Sequence, residues 1–547
     1  MSSRPASPPL QTNAPCRHSW QRALSLSAVG LPVQALLACV ACAMLLLAGC
    51  DSQTSPGPRR GPAAQGDSQG GLFESVAENL EKLEQFDSEE IRKQICDRLN
   101  QWNLQEKPKV AWQIDPQVAA LPEPLRNLLS VKALDSTLFQ PNDAEFLQEA
   151  VWLRAVSSAA RKDQFNDLGV AERLFDWTVR NIQLDSDSPD SPRHRVSQVL
   201  LRGRGTAIER AWLFMLLARQ QGLNVVLLAL QPDEAKPPRP WVCALLSGEE
   251  LQLFDCNLGL PIPGPQEQGV ATLSQVLADE QLLRRLDLDS EHPYPVAADD
   301  LKRIVAYVEA SPDDLSRRMA LVESRLSGKH KLVLTSAGDT LVEELKKVPH
   351  IADARLWTWP FEVQLWVSKL DNDGRKAAGR EMLMFYALPE VALSRALYLK
   401  GLYDGDTGAK KHLLDMRPPE DFINNYKLPA SAVKQFKKED VSRIEAAQIV
   451  LMRQAKQSAS YWLGLVMFQQ EDYPPAIDYF AKRTLEASPD GPWTAGARYN
   501  LGRTYEATGE TAKAIEAYES DIKSPQSHGN RLRARWLKDK DSASAGT

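Results

Sequence analysis

Cysteine is scarce in this chain, with seven residues in 547. The cysteines are Cys16, Cys39, Cys42, Cys50, Cys96, Cys243 and Cys256. The first three lie in an N-terminal segment that we expect to be removed, so only the last three could act as free thiols or form a disulfide. That number is too small for a scaffold held together by disulfides.

The sequence also lacks the patterns that hold metals and nucleotides. The histidines of its second half are His292, His330, His350, His412 and His528. They are scattered and show no H-x-x-x-H pair, and the one C-x-x-C falls in the segment expected to be removed. No Walker loop or dinucleotide fingerprint occurs. We therefore expect no metal and no small-molecule cofactor.

An excess of positive charge is absent as well. Lysine and arginine number 65 against 71 aspartates and glutamates, which gives a net charge of -6. The sequence pI is about 5.8. Because nucleic-acid-binding domains are basic, we do not expect nucleic acid as the main partner.

The N-terminus, by contrast, has the pattern of a secretory signal peptide. Arg4, Arg17 and Arg22 supply positive charge, and an unbroken apolar run extends over 35–49. The run is shorter than the ~20 residues that span a bilayer, which favours a signal peptide over an uncleaved anchor. It ends in Leu47-Ala48-Gly49-Cys50, which resembles the lipobox of bacterial lipoproteins.

The lipobox resemblance implies that Cys50 is acylated and becomes the first residue of the mature chain. Several acyl chains on one cysteine give stable anchoring, whereas a single chain gives only marginal binding. We therefore expect a membrane-anchored protein of the cell envelope that faces the periplasm or the outside. Asp51 resembles an inner-membrane retention signal of enteric bacteria, but which membrane carries the anchor stays open.

The pattern of apolar residues changes along the rest of the chain. Residues 51–71 are mostly Pro, Gly, Ser, Gln and Asp, which indicates a flexible tether. From Leu72 to Trp102 apolar residues recur at three- and four-residue steps, which predicts amphipathic helix. Strands are predicted over 224–230, 241–246 and 251–255, the last two as a hairpin. Residues 300–455 are predicted to be mainly helical, with a short strand at 332–334.

A succession of helix, loop, helix and two strands occupies 174–256. Its segments are Asp176–Ile182, Leu201–Thr206, Ala211–Gly222, Trp241-Val242 and Phe254-Asp255. Their order and spacing resemble the transglutaminase-like, papain-type fold. That resemblance implies a site in which a Cys opens the long helix, a His on the next strand takes its proton, and an Asp orients the His.

The residues that would perform this chemistry are mostly missing. This sequence holds Ala207 where the family places the Cys, and Arg239 where it places the His. Asp255 matches the family's Asp but has no His to orient. Thr206 and Glu209 instead form the T-x-x-E pattern of a capping box at the helix start. We therefore expect a catalytically degenerate domain.

Other groups near this helix leave alternatives open. Cys243 and Cys256 lie on the hairpin and could be reduced and buried, joined in a disulfide, or, for one of them, a relocated nucleophile. His194 would have to be its base, although a lone loop histidine is more often solvent-exposed. The nearby arginines are Arg202, Arg204, Arg210 and Arg219. They form either an anion-binding cleft or, as we favour, a solvated, salt-bridged face.

A repeat occurs in the C-terminal part. Leu463-Gly464 recurs 38 residues later as Leu501-Gly502. The residues that follow each pair at equal offsets are Ala476 and Phe480, then Ala514 and Tyr518. The pattern resembles the tetratricopeptide repeat (TPR), which implies stacked helix pairs with a concave face for a protein or peptide segment. The candidate binding residues are Tyr461, Gln469, Arg498 and Arg503.

The fold class that we predict is mainly α, with a central α+β transglutaminase-like domain that contains a small antiparallel sheet, followed by an α-helical region ending in TPR hairpins. The predicted segments are a signal peptide at 1–49, the lipidated Cys50 and tether at 50–71, a helical lead-in at 72–140, the transglutaminase-like domain at 141–290, a helical region at 291–455, TPR-like repeats at 456–525 and a basic tail at 526–547.

Together these patterns predict a non-enzymatic, membrane-anchored scaffold of the cell envelope that holds a protein or peptide partner through its TPR region. Two alternatives stay open. One is a thiol enzyme that acts on amide bonds with Cys243 or Cys256 as its nucleophile. The other is a structural protein associated with the cell wall.

Overall fold

The computed structural model describes residues 71–82, 88–188 and 191–545. The predicted signal peptide, Cys50 and the tether as far as residue 70 lie outside these described residues. Within them the chain is mainly α-helical, with a six-stranded sheet and a two-stranded one, which confirms the mainly α class.

The first helices are α1 (Gly71–Glu81), α2 (Ser88–Glu106), α3 (Glu123–Leu128), α4 (Val131–Asp135) and α5 (Pro141–Arg161). Helices α1, α2 and α5 pack together, whereas α3 and α4 bury Leu125 and Leu134 in a separate cluster that includes residues of the sheet. Most of the described apolar residues that predict a helix over 72–102, such as Val76 and Ile95, are buried on two successive helices, α1 and α2. Phe73 and Trp102 pack with their ring centroids 4.9 Å apart, in a hydrophobic cluster that continues onto α5.

The central region alternates helices with strands. Its elements are α6 (Asp167–Asn181), β1 (Gln183–Leu184), α7 (Val196–Arg202), β2 (Arg204–Gly205), α8 (Ala207–Gln220), β3 (Val225–Leu230), β4 (Arg239–Ser247), β5 (Glu250–Asp255), β6 (Leu260–Pro261), α9 (Leu273–Ala278), α10 (Gln281–Arg284), β7 (Ile304–Val308), α11 (Arg317–Glu323), α12 (Gly338–Leu345) and β8 (Ile351–Leu356). The three predicted strands are present as β3, β4 and β5, and β4 pairs with β5 as the predicted hairpin.

The main sheet has the strand order β6-β5-β4-β3-β7-β8. All neighbours are antiparallel except β7 and β8, which run parallel. This corrects the prediction of a small antiparallel sheet within 141–290, because the last two strands come from the region predicted to be helical. Strand β7 is a short run of apolar residues that is almost wholly buried, and periodicity alone cannot distinguish such a run from a buried helix segment.

The strand predicted at 332–334 is absent from the structure. Leu332 and Leu334 are buried as expected, but side chains satisfy the backbone there. The Val333 carbonyl accepts a hydrogen bond from Gln220 Nε2 (2.7 Å), and its amide donates to Gln220 Oε1 (3.2 Å). A side-chain amide thus takes the place of a neighbouring strand.

The two faces of the sheet belong to different cores. Leu227, Cys243 and Phe254 point into the cluster that contains α8. Their strand neighbours Leu228 and Val242 point into the other cluster. The alternation follows from the two-residue period of strands, and it decides which side chains can meet α8.

Helices make up the remainder of the chain. They are α13 (Trp359–Lys369), α14 (Asn372–Ala387), α15 (Pro389–Leu399), α16 (Ala409–Asp415), α17 (Glu420–Asn424), α18 (Ala430–Val433), α19 (Lys438–Gln469), α20 (Tyr473–Phe480), α21 (Thr494–Ala507), α22 (Thr511–Glu519) and α23 (Ser527–Ala545). Many of their apolar residues belong to the same cluster as α8, so the central region and the C-terminal helices share one core.

Two helical hairpins have the repeated residues at equivalent places. In the hairpin α19–α20, a Cβ added at Gly464 would lie 2.5 Å from the ring of Phe480. In α21–α22, a Cβ added at Gly502 would lie 2.6 Å from the ring of Tyr518. Glycine is therefore required at both positions because an aromatic ring of the second helix packs on the backbone of the first.

The long spacing between the two repeats has a local cause. Helix α20 continues as a π-helical turn at Ala481–Glu486, and residues 487–493 connect it to α21. In the π-helical turn, Thr484 Oγ1 donates to the carbonyl of Tyr479 (2.8 Å). The additional residues of the first repeat therefore lie within 481–493, after the contact of Gly464 with Phe480 that defines the hairpin.

The predicted basic tail is the helix α23, and part of its charge faces the protein. Arg533 forms ion pairs with Glu506 of α21 (Nε to Oε1, 2.6 Å). Arg535 Nη1 donates to the carbonyl of Asp287 (2.6 Å). The basic tail is therefore only partly open to solvent, because α23 packs against both the second hairpin and the central region.

No single helix among the described residues has the length and hydropathy to cross a membrane. The helices Asn372–Ala387 and Pro389–Leu399 satisfy the length and composition test only when taken as a pair, and they are bent by 85° relative to each other.

Candidate functional site

Helix α8 begins at the position that the transglutaminase-like resemblance assigns to the nucleophile. The Thr206 amide donates to Glu209 Oε2 (2.8 Å), and the Glu209 amide donates to Thr206 Oγ1 (3.4 Å), which confirms the predicted capping box. Ala207 is the first helical residue. Its methyl group carries no nucleophilic atom, so the start of this helix is a structural cap.

His194 lies beside this cap and is buried, which corrects the expectation of an exposed loop histidine. Its Nδ1 is 2.9 Å from Glu209 Oε1, and its Nε2 is 3.1 Å from Glu381 Oε2. Burial alone disfavours the charged ring, but the hydrogen bonds to both carboxylates outweigh it and raise the pKa of His194 above its usual value. The ring thus connects α8 to α14.

Asp255 has a structural role of its own. Its Oδ1 accepts hydrogen bonds from the amides of Asn257 (2.8 Å) and Leu258 (2.9 Å), and its Oδ2 accepts one from the Tyr294 hydroxyl (2.6 Å). Tyr294 belongs to the cluster on the sheet face opposite α8. The Asp255 carboxylate therefore serves a turn on the far side of the sheet from Ala207.

Arg239, at the position where the transglutaminase-like resemblance places a His, is exposed at the start of β4. Its guanidinium approaches Asp300 at 4.0 Å, and half of its side chain is open to solvent. The three positions Ala207, Arg239 and Asp255 thus contact different surroundings, and the structure brings no two of them together in a hydrogen bond.

The two cysteines of the hairpin region are free thiols in the core. Cys243 and Cys256 are buried, and their sulfur atoms are 3.8 Å apart, well beyond the ~2.05 Å of a disulfide bond. Burial raises the pKa of Cys243 well above its usual value, and its neighbour Cys256 adds to this effect. The structure therefore favours the alternative of reduced, buried cysteines.

The four arginines around α8 are engaged within the protein. Arg202 pairs with Glu381 (2.5 Å), Arg204 pairs with Asp185 (2.7 Å), and Arg219 pairs with Glu309 and with Asp314 (3.0 Å). Arg210 is fully buried and donates to main-chain carbonyls, among them those of Ile182 and Cys256, and to Gln526. These contacts support the salt-bridged interpretation, although the arginines are at least half-buried and not fully solvated.

The first helices of the two hairpins face the chain's own central region. The Tyr461 hydroxyl and Asn500 Nδ2 both contact the carbonyl of Arg180, at 3.4 and 3.0 Å. Arg503 forms an ion pair with Asp176 of α6. The surface on which we expected a partner is therefore covered by α6 and the residues that follow it.

This arrangement corrects two of the predicted binding residues. Tyr461 is fully buried, and Arg503 is held by Asp176, so neither is open to another molecule. Gln469 and Arg498 are half-buried. The sequence could not distinguish the buried binding residues from the half-buried ones. Helical periodicity shows that a face of a helix is covered, but it does not show which segment covers it.

A cavity of about 70 Å³ lies elsewhere, and the sequence analysis missed it. Its walls come from α5, α8, the residues after β7 and the start of α13. Carboxylates dominate its polar lining. They belong to Glu145, Glu149, Glu309, Asp313 and Asp314. The signal that could have located it is Asp313-Asp314, which follows the unpredicted strand β7.

Burial changes the acidity of two of these carboxyl groups. It raises the pKa of Glu149 to about 7, and it raises the pKa of Asp313 to about 7 with a further contribution from Asp143. No group of three or more His, Cys, Asp or Glu side chains in the described part of the chain is placed to hold a metal ion.

Comparison with known proteins gives one match. Residues 497–527 match the family described as tetratricopeptide repeat, and they cover most of α21 and all of α22. No curated protein and no solved structure matches the chain. The C-terminal repeat is thus supported, and with it a role in contacts between proteins, whereas the transglutaminase-like domain and the lipid anchor stay predictions.

Proposed function

We propose that this chain is a non-enzymatic scaffold protein of a bacterial cell envelope, anchored to a membrane through acylated Cys50. The observation that carries the proposal is the tetratricopeptide repeat at 497–527, because such repeats are stacked helix pairs that present binding surfaces. The lipobox-like Leu47-Ala48-Gly49-Cys50 supports the anchor.

The non-enzymatic part of the proposal rests on the start of α8 and on the thiols. A degenerate transglutaminase-like domain would carry Ala207 in place of its nucleophile, and Asp255 serves a turn on the opposite face of the sheet. Cys243 and Cys256 are enclosed in the core. A thiol enzyme would need one of them to reach a substrate.

The surfaces for a partner must lie away from the inner face of the repeats. That face is occupied by α6, whereas the outer helix α22 exposes Lys513 and Glu516. The tether can hold this surface at a distance from the membrane, since 20 extended residues between Cys50 and Gly71 reach up to about 70 Å.

The anchor is tested by metabolic labelling of cells with an alkyne analogue of palmitate. The full chain should be labelled and should sediment with membranes, while Cys50→Ala should lose the label and leave the membrane fraction. An alkyne label that persists in Cys50→Ala would contradict the assignment of Cys50 as the anchor. Cys96→Ala is the matched control, because this cysteine is buried far from the N-terminus and should not change the label.

The scaffold role is tested by photo-crosslinking in intact cells. A photoreactive amino acid at Lys513 or Glu516 should give a discrete crosslinked protein of constant mass, whereas the same residue at Lys236, in an exposed loop, should give none. The absence of a discrete product from both positions on the repeat would contradict this function.

A further inference from the structure

The acidic cavity occupies a place in the fold where ligands are commonly bound. Strands β7 and β8 are parallel, and the residues that follow them, 309–314 and 360–364, contribute to its walls. In open sheets with parallel strands, ligand sites lie outside the carboxyl ends of the strands. Helices α5 and α8 close the other sides, and several lining residues are half-exposed, so the cavity opens to solvent.

Most of the carboxylates that line the cavity already form an ion pair with an arginine side chain. Arg195 Nη1 is 3.3 Å from Glu145. Arg219 forms ion pairs with Glu309 and Asp314. These two arginines are the only cationic side chains in the lining among the residues that the structure describes, so they neutralise fewer charges than the five carboxylates carry.

Glu149 shows where negative charge is left over. Glu149 accepts a hydrogen bond from the Ser197 amide (2.7 Å), and it has no ion pair in the described part of the chain. Glu309 is buried; its Oε1 accepts a hydrogen bond from Trp212 Nε1 (2.8 Å), and its Oε2 forms an ion pair with Arg219. Asp313 is 3.7 Å from Arg318, a distance too long for a direct hydrogen bond.

We infer that this cavity binds an alkylammonium group, supplied by a lysine side chain or by a free primary amine. An ammonium ion offers three donors and a positive charge to this lining, in which Glu149 has no ion pair among the described residues. The apolar walls, which include Ala150, Leu153 and Leu216, suit the methylene stem. A volume of about 70 Å³ holds about five waters, which is the size of a side chain and not of a nucleotide or sugar.

The acidity of the lining makes this binding dependent on pH. The raised pKa values of Glu149 and Asp313, both about 7, mean that these groups are mostly neutral at pH 5.5 and ionised at pH 8.5. The other charges that face them are Glu145, Arg195, Glu309, Asp314, Arg219, Asp143 and Arg318. An alkylammonium stays protonated across this range, so affinity should rise with pH.

Isothermal titration calorimetry of the chain from Asp51 onward tests the inference, because this chain keeps every residue that the structure describes. The probes are n-butylamine, an end-blocked Gly-Lys-Gly peptide and the same peptide with an Nε-acetylated lysine. We expect both amines to bind at pH 8.5, to bind at least tenfold more weakly at pH 5.5, and the acetylated peptide not to bind.

Glu149→Gln should weaken amine binding about tenfold or more at pH 8.5 and should not lower the melting temperature, since it removes a carboxylate whose ionisation burial disfavours. Glu249→Gln, at an exposed position in the turn between β4 and β5, is the matched control and should bind as the unaltered chain does. Tighter binding of the lysine peptide than of butylamine would assign the ligand to a protein side chain, and equal binding would assign it to free amines.

The inference is overturned if neither amine binds at pH 8.5, if the acetylated peptide binds equally well, or if Glu149→Gln leaves the affinity unchanged. It goes beyond the proposed scaffold role and does not depend on the anchor. If the unaltered chain carries no palmitate label, or if neither repeat position gives a crosslinked product, the proposed function is refuted and amine binding stands. If neither amine binds, the amine site is refuted and the proposed function stands.

Discussion

At the scale of single residues, His194 shows how one buried ring can join three elements. It faces Glu209 on α8, Glu381 on α14 and Arg202 on α7, whose Nη1 is 3.1 Å from Nδ1. The raised pKa of the folded state means that the ring binds its proton more tightly when the protein is folded. By linkage, its contribution to stability is complete below the unfolded pKa of ~6.5 and is lost as pH rises through the folded pKa.

We therefore expect His194→Gln to destabilise the protein most at pH 6 and progressively less at pH 7, 8 and 9. Urea unfolding of both proteins at each pH measures the difference in the free energy of unfolding. His292→Gln is the control, because His292 is exposed and forms its ion pair with nearby Asp289. A difference that stays constant or grows with pH would show that the imidazolium form is not the one that the carboxylates stabilise.

The thiols give a second residue-scale prediction. Burial raises the pKa of Cys96 to about 11, and it also raises that of Cys243, whereas an exposed thiol titrates near ~8.5. In the folded chain from Asp51 onward, Cys96, Cys243 and Cys256 should therefore react slowly with an alkylating reagent at every pH from 5 to 8. All three thiols should react after the chain is unfolded in urea. Mapping of the labelled sites by mass spectrometry measures this.

Rapid labelling of Cys243 or Cys256 below neutral pH would overturn this prediction. Such labelling would show an activated thiolate. The proposed function would then be a thiol enzyme with a relocated nucleophile, and no longer a scaffold.

At the scale of elements, the two hairpins depend on the contact of a glycine with an aromatic ring. Gly502→Ala should destabilise the protein, since the new Cβ would lie 2.6 Å from the Tyr518 ring. The higher helix propensity of alanine contributes up to ~1 kcal/mol in the opposite direction, and overpacking of a core costs about 1–3 kcal/mol. Thermal unfolding monitored by circular dichroism should show the net loss.

Gly71→Ala is the matched control for this substitution, because nothing lies within 4 Å of its added Cβ and it is also helical. A melting temperature of Gly502→Ala equal to or above that of the control would mean that the ring moves aside without cost, and the hairpin contact would lose its structural importance.

At the scale of the whole molecule, the repeats and the central region form a single packed body. The half-buried pair of Asp176 and Arg503 joins α6 to α21, and Arg503 and Arg180 hold the pKa of Asp176 below its usual range despite burial. We expect Asp176→Asn to destabilise the protein by on the order of 3 kcal/mol, because the largely buried guanidinium of Arg503 loses its closest carboxylate and is left with Glu506, at 3.7 Å.

Calorimetry should show one cooperative transition for both proteins, shifted to lower temperature in Asp176→Asn. Asp163→Asn, on the loop that precedes α6, is the control and should leave the transition in place. Two separate transitions in the unaltered chain would contradict the single body, since they would show that the hairpins unfold independently of the central region.

Much of this architecture could be predicted from local patterns. The capping box at Thr206 and the Gly–aromatic hairpins depend on residues close together in the sequence, and both are present. The hairpin β4–β5 is of the same kind. The resemblance to the transglutaminase-like fold is likewise a sequence pattern, and the prediction that Ala207 and Arg239 stand where that family has its Cys and His needs no structure. Such features follow from short-range geometry, which the order of residues determines by itself.

What only the tertiary structure decided is which faces meet. Tyr461 and Arg503 have the spacing of groove residues, yet α6 covers them. Strands β7 and β8 complete a sheet that begins far earlier in the chain, and the acidic cavity exists only where their ends meet α5 and α8. Periodicity states that a face is buried or charged, whereas its partner is set by the packing of distant segments, which no local pattern records.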